Sequence, residues 1–450
     1  MEGKLSKREV FFVGLMLFCM FFGAGNLIFP PFLGEMAGKN VWIAFCGFII
    51  SAVGLPILSV IIVSKSNGLN ALAGHVNGLF AVVFTILIYL SIGPFLGIPR
   101  TGSLSYQMTL APFLSGRLSK SPLPLFLFTL VYFLLALWLS LTPSKLVDRL
   151  GKLLTPILLA MIAGVFVCSL FKPMGSFGAA KGDYVAFPFF KGFSEGYLTM
   201  DAIAGLNFGI VISTTLKNMG VKKEKSIISY STKAGLIVGV LLMVNYAMLA
   251  YIGASSRAIT SKAQNGADVL TSVFLFLFGK YGTTILGILF SLACFTTAVG
   301  LITSCGEYFA SIVPKVPYKA WVCILSFWSM VTSNVGLTKI LAISVPVLNA
   351  IYPMAIVLML LFVFRRLFGN STYVYRCCML FTAVFSIADS LNSSVMKLSS
   401  LSSLFSYFPL YSQGMGWIVP GLLGAFLGYA ISLFSKQNFA ENEGTVHQNY

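Results

Sequence analysis

Apolar runs of spanning length recur along the whole chain, at about 10–33, 41–63, 79–99, 122–141, 150–171, 194–216, 231–253, 281–305, 317–334, 340–364, 374–390 and 415–435. A helix needs about 20 apolar residues to cross a hydrocarbon core of about 30 Å. The runs are longer than barrel strands and do not alternate apolar with polar residues, so the pattern predicts helices. The expectation is an all-α integral membrane protein of about twelve transmembrane helices, forming one membrane domain over 1–450. The ninth and eleventh runs are short and interrupted by polar residues. The third extends to Leu110 if Gly93-Pro94 and Pro99 mark a kink rather than an end.

Composition agrees. Hydrophobic residues make up 57% and charged residues 10%, with mean hydropathy +0.90, against about 25% charged in soluble domains. The net charge of +17 resides mainly in short connections, without a basic tract or aromatic RNA-binding signature, so a lipid bilayer and not nucleic acid is the expected partner. With the N-terminus inside, eighteen of the 30 lysines and arginines fall on one side and twelve, including Lys39, Arg100, Arg117, Lys120, Lys181 and Lys397, on the other. The loop from Lys217 to Lys233 dominates this bias, which together with an even helix number predicts both termini in the cytoplasm. The start of the chain superficially resembles a signal peptide, but the first run is too long and its Gly-Asn-Pro-Pro interior is no cleavage site, so it reads as a first transmembrane helix. The eight cysteines show no CxxC or Cys/His spacing and read as small buried hydrophobes. The connection 255–280 is long enough for short helices that act as a lid, and the serine-rich stretch 386–406 reads as a loop with a partial helix.

Three stretches break the apolar pattern. The first is Gly23-Ala24-Gly25-Asn26-Leu27-Ile28-Phe29-Pro30-Pro31, inside the first run. Glycine, asparagine and proline disfavour an unbroken helix, proline pushes Phe29 toward extended backbone, and a break at membrane depth is tolerable only where it lines a cavity. The expectation is a discontinuous helix that forms part of a binding site. The second is Glu195-Gly196-Tyr197-Leu198-Thr199-Met200-Asp201, with Gly205, Asn207 and Gly209 following. A buried aspartate costs about 2.5–3.5 kcal/mol on insertion scales, so Asp201 either pairs with a buried donor or lines a site, and Gly205/Gly209 alone also fit a close-packing face. The third is Ala293, Thr296 and Thr297, whose i, i+3, i+4 spacing puts a carbonyl and two hydroxyls on one helical face. That set suits a hard cation, although such threonines also bond back to their own turn. Of the other ionisable residues, Glu35 reads as interfacial, Glu307 as lying beyond the eighth run near Lys315 and Lys319, Asp389 as intramembrane or in the serine-rich loop, and His75 and His447 as lying in polar segments.

The two broken stretches are five runs apart. That placement matches inverted five-helix repeats, each opening with a discontinuous helix: about 10–171 and 194–364, then two helices at 374–435 and a cytoplasmic tail at 436–450. No Walker loop, GxSxG elbow or HExxH motif is present. An ion channel would want a repeated pore loop or charged rings, and an intramembrane enzyme a second partner for Asp201.

Phe21-Phe22-Gly23-Ala24-Gly25-Asn26-Leu27-Ile28-Phe29-Pro30-Pro31, Glu195 to Asp201, and Thr296-Thr297-Ala298-Val299-Gly300-Leu301 with Glu307 resemble bacterial branched-chain amino acid:cation symporters, the family of the BrnQ carriers. Asn207 and 386–406 depart from the likeness. The resemblance implies the LeuT-like fold of the amino acid–polyamine–organocation superfamily, with discontinuous helices 1 and 6, in the bacterial cytoplasmic membrane. It implies no catalytic residue and no cofactor beyond the coupling ion, and sodium-coupled import of leucine, isoleucine and valine. Proton coupling, or a broader neutral amino acid range, is the alternative. By that likeness, amides at Ala24, Gly25 and Asn26 hold the substrate carboxylate, and Tyr197, Thr199 and Met200 with Asp201 hold its ammonium. Sodium sits among Phe22, Gly23, Ala293, Thr296 and Thr297.

Overall fold

The computed structural model describes residues 4–116, 118, 121–396 and 398–446; Arg117, Lys120, Lys397 and His447 lie outside them. All regular structure among the described residues is helical. Nine helical stretches among them are long and apolar enough to cross a membrane, or ten if the bent pair Pro188–Tyr197 and Asp201–Asn218 is one span. Helix occupies each of the twelve apolar runs. Two runs account for the lower count. The first is split into a 15-residue helix, Lys7–Phe21, and a half-helix, Ala24–Ala37, that continues into the second run. The ninth forms Tyr318–Ser333, only 16 residues.

The chain divides into two compact units. The larger holds Met1–Lys65 and Ile88–Ser344, and all three sequence anomalies belong to it. Its first helix starts with a capping box: the Ser6 hydroxyl accepts from the Glu9 amide at 3.2 Å, and Glu9 Oε2 accepts from the Ser6 amide at 2.7 Å. The break that follows is not where the prolines are. Pro30 and Pro31 lie inside the Ala24–Ala37 half-helix and Phe29 is helical, contrary to the expected extended residue. The two prolines remove the amides that would bond the Asn26 and Leu27 carbonyls. Packing holds the segment helical nonetheless. Bare glycine backbone lets neighbours come close: Gly253 lies against the Pro31 carbonyl, Gly266 against the Ile28 carbonyl, and Gly34 against the Ala250 carbonyl.

Glycine also seats the sixth segment. A Cβ at Gly192 or Gly196 would overlap the Ala44 carbonyl or the Ser51 hydroxyl, and at Gly205 or Gly209 it would meet Ser59 or Val63. The glycines of this segment therefore serve close packing against the second run, as the packing alternative proposes. Asp201 faces elsewhere. The connection 255–280 carries the helix Gly266–Phe278, capped by Asn265 Oδ1, which accepts from the amides of Ala267 and Asp268.

The smaller unit holds Ser66–Leu87 and Val345–Tyr450. Its helix Thr372–Leu391 lies close against Ile418–Val446, where Gly424 meets the Cys377 carbonyl and Gly428 the Tyr373 carbonyl. His75 stacks on Tyr375 with ring centroids 5.2 Å apart. The serine-rich stretch is more helical than expected, with a π-helical turn at Asn392–Met396 and a helix at Ser399–Ser406. Asp389 accepts a hydrogen bond from the Tyr411 hydroxyl at 2.9 Å.

Candidate functional site

The first helix makes its last hydrogen bond from the Phe22 amide to the Phe18 carbonyl, at 2.7 Å. Phe22 then leaves helical geometry at ψ 86°, and Gly23 is extended at φ −116°, ψ −155°. The Gly23 amide donates to Asn26 Oδ1 at 3.0 Å, so Asn26 caps its own half-helix. First-turn amides have no acceptor within a helix and carry the positive end of its dipole. Here they belong to Ala24, Gly25 and Asn26. A Cβ on Gly25 would sit 3.2 Å from Thr199 Cα, 3.3 Å from Arg100 Nη2 and 3.3 Å from Phe29 Cε2. Glycine is thus what brings three segments to one point.

The second break lies between Tyr197 and Asp201, with a 41° bend. Met200 is left-handed at φ 68°, a conformation that costs a non-glycine residue about 1 kcal/mol or more. The Tyr197 carbonyl accepts from the Met200 amide at 3.0 Å, and the Met200 carbonyl from Ala204 at 2.9 Å. The Leu198 and Thr199 carbonyls accept no hydrogen bond among the described residues.

One hydrogen-bonded group joins the two breaks. Asp201 Oδ2 accepts from Asn26 Nδ2 at 2.6 Å and from the Tyr246 hydroxyl at 2.8 Å, and Asn26 Nδ2 also contacts Tyr246 Oη. Asp201 is 2% exposed and Asn26 1%. The pairing reading of Asp201 holds, and its donors come from the other broken helix and from the helix Glu224–Ser255.

Beside this group lies a small cavity of about 40 Å³. That is far below the usual range of about 300–1,000 Å³ for small-molecule sites, so this conformation leaves room for little more than water and an amino acid requires the site to open. Ala24, Gly25, Asn26, Thr199, Met200 and Asp201 line it, whereas Tyr197 does not. Met20, Phe21, Ile92, Ala204 and Leu301 give it an apolar wall. Of the five expected sodium ligands, Gly23 and Thr297 reach the cavity. The Thr297 hydroxyl is buried without a hydrogen-bond partner, and a Cβ on Gly23 would lie 2.8 Å from it. Phe22, Ala293 and Thr296 are buried behind that wall, with the Thr296 hydroxyl donating to the Ala293 carbonyl at 3.0 Å. The bonding-back alternative therefore describes Thr296 but not Thr297.

Arg100 corrects the sequence reading. It was expected in an outer connection, yet it belongs to the helix Gly97–Thr109, is 6% exposed and lines the cavity. The third run does continue through a kink, a π-helical turn at Ser91–Phe95 with Gly93 out of helical geometry. That continuation was the signal in the sequence that Arg100 lies inside a span. Glu35 is buried within the protein at 1% exposed and paired with Lys181 Nζ at 2.7 Å. Glu307 falls inside the helix Gly282–Ile312 with no ion pair among the described residues, and its Oε2 is buried without a partner. Tyr246 and Thr101, which also lines the cavity, had no local signal, since a tyrosine or threonine in an apolar run gives no sign of where it points.

Residues 6–435 match the family described as branched-chain amino acid transport protein. The chain belongs to that family. The branched-chain amino acid permease BrnQ of Bacillus subtilis is 43% identical over 437 residues, covering 96% of this chain and 99% of the permease. The branched-chain amino acid transport system 2 carrier protein of Pseudomonas aeruginosa is 40% identical, covering 91% and 92%. Among solved structures, Mhp1, a nucleobase-cation-symport-1 family transporter with bromovinylhydantoin bound, superposes with TM-score 0.59 at 14% identity, covering 95% of this chain and 93% of that one. MhsT in complex with L-phenylalanine gives 0.54 at 16% identity, covering 94% and 100%. These likenesses place the family member in the LeuT-like fold. It is a multi-pass membrane transporter, not an enzyme.

Proposed function

We propose that this protein imports leucine, isoleucine and valine across the bacterial cytoplasmic membrane by alternating access, driven by sodium. The observation that carries the reading is the convergence of both helix breaks on one cavity with an apolar wall, in a chain whose relatives are named branched-chain amino acid permeases.

The chemistry of a zwitterion fits that cavity. The carboxylate is held by the amides of Ala24, Gly25 and Asn26, where a helix N-terminus favours negative charge. The ammonium is held by the Thr199 carbonyl, which lies at the cavity and accepts no hydrogen bond among the described residues, with Asp201 supplying negative charge nearby; this moves the ammonium partner away from Tyr197, which does not line the cavity. The branched side chain lies against Met20, Phe21, Ile92 and Leu301. A methylene in such a pocket is worth only about 1–3 kcal/mol, so the three substrates are weakly separated.

Sodium is assigned to the break at Phe22-Gly23, between the last carbonyls of the first helix and Thr297. The unpartnered Thr297 hydroxyl supports this site. Thr296 still has lone pairs to offer after donating to Ala293. One charge carried inward across 100 mV yields about 2.3 kcal/mol, to which the sodium gradient adds.

Uptake of radiolabelled leucine into proteoliposomes tests the reading, with sodium and proton gradients imposed separately. Concentrative uptake is expected with an inward sodium gradient alone, and isoleucine and valine are expected to compete. Uptake that ignores sodium and collapses with the proton gradient would replace sodium by protons. No saturable leucine uptake under either gradient would end the proposal.

A further inference from the structure

Arg100 carries a buried guanidinium that no carboxylate pairs with among the described residues. It is 6% exposed, and among the described residues it makes no ion pair and its side chain no hydrogen bond. It lies over the Phe29 ring with the guanidinium carbon 5.6 Å from the ring centroid. Arginine does not shed its proton in proteins, so burial cannot be relieved by neutralisation. An unpaired buried charge costs several kcal/mol, and at membrane depth such residues mark substrate or ion pathways. Cation–π contact of about 0.5–2 kcal/mol offsets only part of this.

Its position says what is missing. A Cβ on Gly25 would lie 3.3 Å from Arg100 Nη2, so the guanidinium sits beside the first-turn amides of the Ala24–Ala37 half-helix. Amides and guanidinium thus present donors to one end of the cavity. Asp201 lines the same cavity but forms no ion pair with Arg100, and its Oδ2 already accepts two hydrogen bonds. The charge that completes the arrangement is an anion brought from outside, and a planar fork of donors matches a carboxylate in bidentate fashion.

We propose that Arg100 binds the carboxylate of the transported amino acid, together with the half-helix amides. The inference rests on the amino acid transport reading above. It narrows the substrate class to molecules with a free carboxylate next to the ammonium, and it makes the protein itself, not a bound ion, the main countercharge for that carboxylate.

A ligand-by-variant cycle tests it. Binding of leucine and of leucinol, which keeps the ammonium and side chain but has no carboxylate, is measured by calorimetry on the purified full chain at saturating sodium. The native protein is expected to bind leucine at least about 100-fold more tightly than leucinol. In Arg100→Gln, leucine binding should weaken by about 30-fold or more, the loss typical of truncating one side of a buried charge pair. Leucinol binding should stay within about threefold, so the discrimination collapses. Arg100→Lys, which keeps the charge and loses the fork, decides the matter if the glutamine variant does not fold: leucine should weaken about tenfold with leucinol unchanged. If either folded variant keeps the native ratio of leucine to leucinol, or loses both ligands equally, Arg100 does not touch the carboxylate. A native protein that binds no leucine overturns the transport reading, and this inference with it. Native leucine binding with an unchanged ratio in the variants overturns this inference alone.

Discussion

Asn26 uses both ends of one side-chain amide. Its oxygen caps the Gly23 amide and its nitrogen donates to Asp201. The two bonds fix which end points where, because the Gly23 amide needs an acceptor and a carboxylate needs a donor. Asn26→Ala would leave both groups a partner short in a buried site, and each such loss costs about 1–3 kcal/mol. The variant is expected to lose about 2–4 kcal/mol of stability in detergent, read by thermal unfolding, and to bind leucine at least about tenfold more weakly. Native stability and native affinity would show that the Asn26 link between the breaks is incidental. Tyr246→Phe keeps the ring packed near Phe48 and removes only one donor to Asp201, so a milder loss of about 1–2 kcal/mol is expected. Thr297 belongs to the same scale. Thr297→Ala should raise the sodium concentration for half-maximal leucine uptake by about tenfold, the equivalent of about 1.4 kcal/mol, while Thr297→Ser restores it. Unchanged sodium activation in the alanine variant removes Thr297 from the ion site.

At the scale of elements, the half-helix Ala24–Ala37 survives two internal prolines because its neighbours come within backbone contact. Gly253 and Gly266 make this possible. Gly253→Val would drive a branched side chain into the Pro31 carbonyl and is expected to cost about 3 kcal/mol or more, at the upper end for overpacking. Gly164, on the helix Thr155–Phe171, has open space where a Cβ would go. Gly164→Ala should therefore leave stability unchanged or raise it by about 0.5–1 kcal/mol, as for glycine in a helix interior. Thermal unfolding of both variants in one detergent checks the contrast; equal melting temperatures would deny that glycine contact holds the broken helix. The second break has a different origin. No proline lies within it, and the chain turns there through the left-handed Met200.

For the whole molecule, coupling is a statement about linkage. If sodium raises leucine affinity by some factor, leucine must raise sodium affinity by the same factor. Equilibrium binding of each ligand, with the other absent and then saturating, should give two factors that agree within about twofold. A leucine affinity indifferent to sodium but dependent on pH would assign the coupling to protons. The shared Gly23 region gives the proposed linkage a physical route, since it lies between the first-turn amides assigned to the substrate and the carbonyls assigned to the ion.

The pattern of apolar runs determined the class and most of the helices, because crossing lipid imposes a length and an apolarity that composition alone reveals. The residues at both breaks were legible for the same reason: glycine, asparagine and aspartate are costly at membrane depth, so their presence there needs a purpose. Proline was the misleading signal. It marks a missing hydrogen bond, but whether the helix yields there depends on how tightly neighbours hold it, and only Gly253, Gly266 and Gly34 decided that. Tertiary structure alone supplied Tyr246, the burial of Glu35 against Lys181 and the position of Arg100. A charge next to a kink reads as a loop residue until the helix is seen to continue past it. Whether that charge meets bulk water or a cavity inside the protein is settled by what packs around it, not by its neighbours in sequence.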